Sequence, residues 1–116
     1  AIDANGDVIV IGRQYGLGSA QYGNVSLTSA SRGENPTLLK YNSFGNALWG
    51  STIFSASNNG SGAGSAFNAI SVDISGYIYV AGYQLPNDSI NYGGSGVVIN
   101  TGTNMLGFVS CSASNY

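Results

Sequence analysis

Asp3-Ala-Asn-Gly-Asp7 places three oxygen-bearing side chains at alternate positions, a spacing that suits a hard cation such as Ca²⁺. An EF-hand loop also needs Gly at its sixth position and an acid at its twelfth, and neither is here. The stretch that answers to it later in the chain offers Asp73, Ser75 and Tyr77, which removes one ligand. A hairpin turn in which the Asp carboxylate caps backbone N–H groups accounts for both stretches. No metal and no cofactor is expected. The sequence contains no His, so Ser-His-Asp and Cys-His nucleophile systems and His-containing zinc sites are excluded. Asp3, Asp7, Glu34, Asp73 and Asp88 are hard to assemble into a glycosidase pair, and Asp3 and Asp73 hold equivalent places in a repeat. Gly16-Leu-Gly18 and Gly60-Ser-Gly-Ala-Gly64 lack the Lys-Ser/Thr and following helix of a phosphate cradle. No catalytic residue is expected.

Tyr15, Tyr22, Tyr83 and Tyr92 remain, flanking loops where their rings could stack on a sugar or a protein partner. Tyr22 and Tyr92 recur with a following Gly, which also fits a packing role. Trp49 is expected to fill space between repeat units, and Lys40 and Arg32 to be solvated charges. The single Cys111 forms no internal disulfide and reads as a small inward-facing strand residue. Asn24-Val-Ser26, Asn59-Gly-Ser61 and Asn87-Asp-Ser89 match the glycosylation sequon, as chance matches in an Asn/Ser-rich chain also would.

The elements that position these residues are strands. The 116 residues include 18 Gly and 8 Tyr, with 43% hydrophobic and only 7% charged, enough apolar surface for one core. Val, Ile and Tyr favour a pleated surface, and no stretch sustains a helical period. A net charge of −2 offers no basic footprint for nucleic acid, and no apolar run spans a membrane. The chain has neither an initiating Met nor a signal-like segment, and reads as processed or excised from a longer, secreted or surface protein.

An internal repeat organises the whole. Ala1–Gly12 aligns with Ser71–Gly82 through Asp3/Asp73, Gly6/Gly76, Val10/Val80 and Gly12/Gly82. The register continues to Gln14/Gln84, Ser19/Ser89 and Tyr22-Gly23/Tyr92-Gly93. A two-residue adjustment then matches Val25–Ser29 to Val97–Thr101, and Leu38-Leu39 falls on Phe108-Val109 at the original offset. Each unit reads as two hairpins in sequence, with a Gly/Ser-rich loop holding the short apolar piece Val25 to Leu27. The chain would hold about 1.7 units of roughly 70 residues: 1–54, a 55–66 linker and 67–116. The first unit largely lacks its leading strand and the second lacks its last. Four-stranded antiparallel units repeated in this way are β-propeller-like blades. The expectation is therefore an all-β fragment of a larger propeller, or an array completed between chains.

Ala69-Ile-Ser-Val-Asp-Ile-Ser-Gly-Tyr-Ile-Tyr-Val-Ala-Gly-Tyr83 resembles the hallmark of the bacterial β-propeller repeat family called SBBP. Thr37-Leu-Leu-Lys-Tyr-Asn-Ser-Phe-Gly-Asn-Ala-Leu-Trp49 is similar to that family's second segment. The Gly16–Asn35 insertion is long for such a blade, and Lys40-Tyr41 becomes Ser110-Cys111 in the second unit. The resemblance implies an extracellular scaffold without transferable catalytic residues, partnered by the rest of a longer chain, by copies of itself, or by a protein or glycan. A structural subunit of a filament, sheath or surface layer is the alternative.

Overall fold

The computed structural model describes the backbone of residues 1–29, 32–52, 54–55, 65–84, 88–91, 97–100 and 106–113, and the side chains of 1–29, 32–52 and 66–83. Every regular element described is a strand, and every pairing is antiparallel. In chain order they are β1 (Val8–Tyr15), β2 (Gly18–Tyr22), β3 (Val25–Ser29), β4 (Glu34–Tyr41), β5 (Ala47–Thr52), β6 (Phe54–Ser55), β7 (Ser65–Val72), β8 (Tyr77–Gln84), β9 (Asp88–Asn91), β10 (Val97–Asn100) and β11 (Leu106–Ala113).

The first sheet runs β1-β4-β5 and another runs β11-β8-β7. The two halves thus share one plan, a meander whose middle strands are separated in sequence by a hairpin. That hairpin is β2-β3 in the first unit and β9-β10 in the second. Both expected hairpins, β4-β5 and β7-β8, are present, and β1 pairs along its whole length with β4, so that hairpins join in one sheet. The expected loop from Gly16 to Asn35 contains paired strands. The reason is local: Gly23, at φ 62°, and Asn24 close a two-residue turn between Tyr22 and Val25. The leading strand of the first sheet is represented by Ala1–Asp3, with a bridge from Ile2 to Val8.

Register corrects the alignment. Gly12 faces Thr37 and Gly82 faces Phe108, so Thr37 answers to Phe108 and Lys40 to Cys111. Gln21 faces Ser26 whereas Asn91 faces Val97. One extra residue between the hairpin strands of the second unit accounts for both shifts, with no return to the original offset.

Three turns share one chemistry. Asp3, Asn42 and Asp73 each accept two backbone N–H groups on Oδ1, at 2.9 to 3.0 Å. Each is followed three residues later by a Gly at φ 80°, 83° or 85°, a conformation that favours Gly.

The sheets pack through Ile9 and Leu38 on one side and Phe67, Ile78 and Val80 on the other, flanked by Ile11, Trp49, Ile70 and Val72. They bury opposite faces. Ile9 of the first unit is 2% exposed, while its equivalent Tyr79 is 39% exposed. Conversely Val80 is 5% exposed and its equivalent Val10 is 40% exposed. The front of one unit lies on the back of the other.

Over β4 and β5 the remaining face of the first sheet is covered by its own hairpin, while Val10 on β1 stays half-exposed. A Cβ on Gly50 would meet Leu39 at 2.7 Å, Val25 at 3.1 Å and Leu27 at 3.2 Å, so this glycine lets β3 lie on β5. Asn35 to Lys40 are consequently all buried, because β4 is covered on both faces.

Candidate functional site

The densest cluster of ionisable groups is built on the Asp3 turn. Lys40 Nζ lies 2.7 Å from Asp3 Oδ2 and 3.1 Å from Asp7 Oδ2. The side chains of Lys40 and Asp3 are only 5% and 6% exposed. The solvated charge expected at Lys40 is thus a buried one. Its position follows from the register: Lys40 stands opposite Ile9 and Trp49, on the face that packs against the second sheet. A lone ammonium there would be costly, and two carboxylates at the mouth of the adjacent turn neutralise it.

The ammonium bridges the two carboxylates that the sequence offers to a cation. The hydrogen bond from Lys40 holds Asp3 below the usual carboxylate range despite burial, and the hydrogen bond to Asp3 holds Lys40 above the usual lysine range. Both stay charged near neutral pH, which makes Lys40 a poor nucleophile and Asp3 a poor base. In the second unit Lys40 answers to Cys111. There Tyr79 donates to Asp73 Oδ2 at 3.1 Å, so the turn is kept and the ion pair is not. Among the described residues, no group of three or more His, Cys, Asp or Glu side chains gathers as metal ligands.

The four tyrosines fare differently. Tyr15 is 79% exposed, at the end of β1 where the chain leads through the exposed Leu17 into the hairpin. Tyr22 is half-buried at the hairpin turn. Tyr83 donates its hydroxyl to Glu34 Oε2 at 3.0 Å, linking the two sheets. That acceptor, together with burial, raises the phenol above its ordinary value. Arg13 pairs with the other carboxylate oxygen of the same Glu34. Tyr92 lies outside the described residues, as does the side chain of Cys111. Asn24 of the first sequon is exposed at its turn.

Asn35 and Gln14 were given no role by the sequence. Asn35 Nδ2 donates to the carbonyls of Gly33 at 3.0 Å, Gln14 at 3.4 Å and Gly16 at 3.5 Å, tying the two ends of the hairpin insertion together. Gln14 Nε2 donates to Leu27 O at 3.2 Å and Ser29 Oγ at 2.9 Å, fastening the hairpin to the sheet. The available signal was a pair of amides at the two ends of an insertion. Asn35→Ala should cost about 1–2 kcal/mol by removing the buried side-chain hydrogen bonds that hold the two ends of the insertion together, although Gly33 O keeps the Gly16 N–H. In hydrogen exchange, β2 and β3 should lose protection before β1 and β4 do. Equal loss across the sheet would remove the clamp role.

An open cleft of about 250 Å³ lies between β3 and β5, lined by Ser26, Leu27, Thr28, Gly50, Ser51 and Thr52. It offers hydroxyls and an apolar floor but no ionisable group. Comparison with family models, curated proteins and solved structures returns no match for this chain.

Proposed function

We propose that this chain is a non-catalytic, extracellular or surface β-repeat scaffold whose units stack as propeller-like blades and whose loops bind a protein or glycan. The observation that carries this reading is the front-to-back packing of two like units. A contact between different faces repeats from unit to unit and closes a ring when the rotation allows, whereas a contact between like faces ends at two. The half-exposed Tyr79 stands where Ile9 meets the neighbouring unit, and the half-exposed Val10 stands where Val80 does. Both match faces that further units would cover. The SBBP-like segments agree with this reading. The densest charged cluster, Asp3, Asp7 and Lys40, is bound up in a turn, in keeping with a scaffold.

Native mass measured beside denatured mass tests the architecture. A compact particle holding several units, in one chain or several, is the expected result; a stable monomer of 1.7 units, with no more, would sink it. Of the four candidate tyrosines, the exposure of Tyr15, with that of Leu17, supports this one as a contact for a partner. On a glycan array, or against surface proteins of the source cell, Tyr15→Ala should weaken retention about tenfold, in line with loss of one aromatic contact. Its thermal midpoint should be unchanged, because the ring is exposed. A regular filament that retains no partner would transfer the function to the structural alternative.

A further inference from the structure

The two hairpins have different neighbours. β9 is flanked on both sides, by β10 and by β6, with Phe54 opposite Asn91 and Ser55 opposite Ile90. At the equivalent place in the first unit, β2 pairs among the described residues with β3 alone. β6 is the continuation of the closing stretch that begins as β5. Ala47–Thr52 completes the first sheet against β4, and Phe54–Ser55 then crosses to the hairpin of the next unit. A single stretch of chain thus joins two units through backbone hydrogen bonds.

The far edge of β2 has the character of an acceptor. An uncovered strand edge is a template for another strand, and proteins blunt such edges with charge, proline or bulges. Gly18-Ser-Ala-Gln-Tyr22 carries no charge and no proline, and its pairing with β3 has no register shift. The two-residue turn makes Tyr22 and Val25 a hydrogen-bonded pair, so Ser19 and Gln21 direct their N–H and C=O groups to the open side.

We propose that the outer edge of β2 is the docking site for the closing strand of another unit of this repeat, an extended segment of the Ala47–Ser55 kind. Its last residues pair antiparallel with Gln21 and Ala20, as Phe54 and Ser55 pair with Asn91 and Ile90. This rests on the repeat-scaffold reading and adds the way in which neighbouring units are fastened.

The probe is a capped synthetic peptide with the sequence Ala-Leu-Trp-Gly-Ser-Thr-Ile-Phe-Ser-Ala-Ser, whose two residues after the second Ser carry it past Ser19, added to the whole chain, with residue-resolved amide exchange as the readout. The peptide should slow exchange at Ser19 and Gln21 by at least tenfold. Gln21→Pro should abolish that protection, because it removes an outward N–H, while the amides of β3 stay protected and report an intact hairpin. A peptide carrying Pro in place of its Phe should fail to protect. Protection confined to β11, whose outer edge answers to the one β5 covers on β4, overturns the proposal and leaves the repeat reading standing. No protection at either edge overturns it as well, as does edge-to-edge dimerisation of the peptide-free chain through β2. The particle mass judges the repeat reading independently of all these outcomes.

Discussion

Lys40→Ala is expected to lower the free energy of unfolding by about 3–5 kcal/mol, the usual cost of leaving one side of a buried ion pair without its partner. That is a large part of the roughly 5–15 kcal/mol available to a domain of this kind, and urea titration at pH 7 measures it directly. The loss comes from Asp3 and Asp7, whose carboxylates would remain under the sheet edge with no ammonium. Asn42 performs the same capping role as Asp3 with no charge. Lys40→Met combined with Asp3→Asn and Asp7→Asn should therefore keep the turn and recover most of the loss. Failure to recover would place the energy in the packing of the lysine stem instead.

The pH profile follows from the same pair. Asp3 is held below its ordinary 3.8, so its contribution is complete above that value and is lost as pH falls through the depressed one. Lys40 is held above its ordinary 10.5, so its contribution is complete below 10.5 and is lost as pH rises through the raised value. Stability should be level between these limits and fall on both sides. Lys40→Ala should lose the lysine's share of the alkaline fall, and Asp3's share of the acid fall should shrink or reverse, because the hydrogen bond that holds its carboxyl down is gone and burial, which raises it, remains.

Gly82→Ala should be at least as damaging. A Cβ at this position would sit 1.9 Å from the carbonyl oxygen of Ala66 and 2.9 Å from its carbon. Those are backbone atoms at the irregularity between Phe67 and Ala69, where β7 shifts register against β8. Relief requires the strand to move, and about 3 kcal/mol or more is expected, with failure to fold as the extreme. The equivalent substitution Gly12→Ala meets only the Thr37 hydroxyl at 3.1 Å. A side chain can turn aside, so a loss near 1 kcal/mol is expected. Thermal melts of the two variants should differ by several degrees. Equal effects would mean that the glycine is kept for the strand itself and not for its neighbour.

This contrast also shows where sequence reasoning reaches its limit. Gly12 and Gly82 recur in step, and the recurrence was visible, but the sequence does not say what a side chain there would meet. Both lie inside strands, and only the pairing of β7 with β8 reveals why one of them must lack a side chain. Strand positions around the Asp3 and Asp73 turns were legible because Asp-x-x-Gly is a local signal, and Asn42 carries the same signal in amide form. The hairpin between Gly16 and Asn35 was hidden by its short strands, which alternate too weakly to be separated from a loop. Lys40 was misread because a lone lysine in a strand carries no mark of burial. Its two partners come from a turn more than thirty residues earlier, and β4 is covered on both faces by elements distant in sequence. Of the four tyrosines, nothing local separates the exposed Tyr15 from Tyr83, whose partner Glu34 lies across the sheet interface.

The β2-β3 hairpin also has a kinetic meaning. β1 and β4 are sheet neighbours, yet the whole insertion separates Tyr15 from Glu34. Closing so long a loop is entropically slow when the intervening chain is loose. A two-residue hairpin forms within about 1–10 μs, and once formed it brings its two ends side by side. Gly16 and Gly33 then stand close enough for the 3.0 Å hydrogen bond between them, and β4 has only to zip onto β1 from that point. Hairpin first and sheet second is the order this topology favours, so destabilising the Gly23-Asn24 turn should slow folding more than it speeds unfolding.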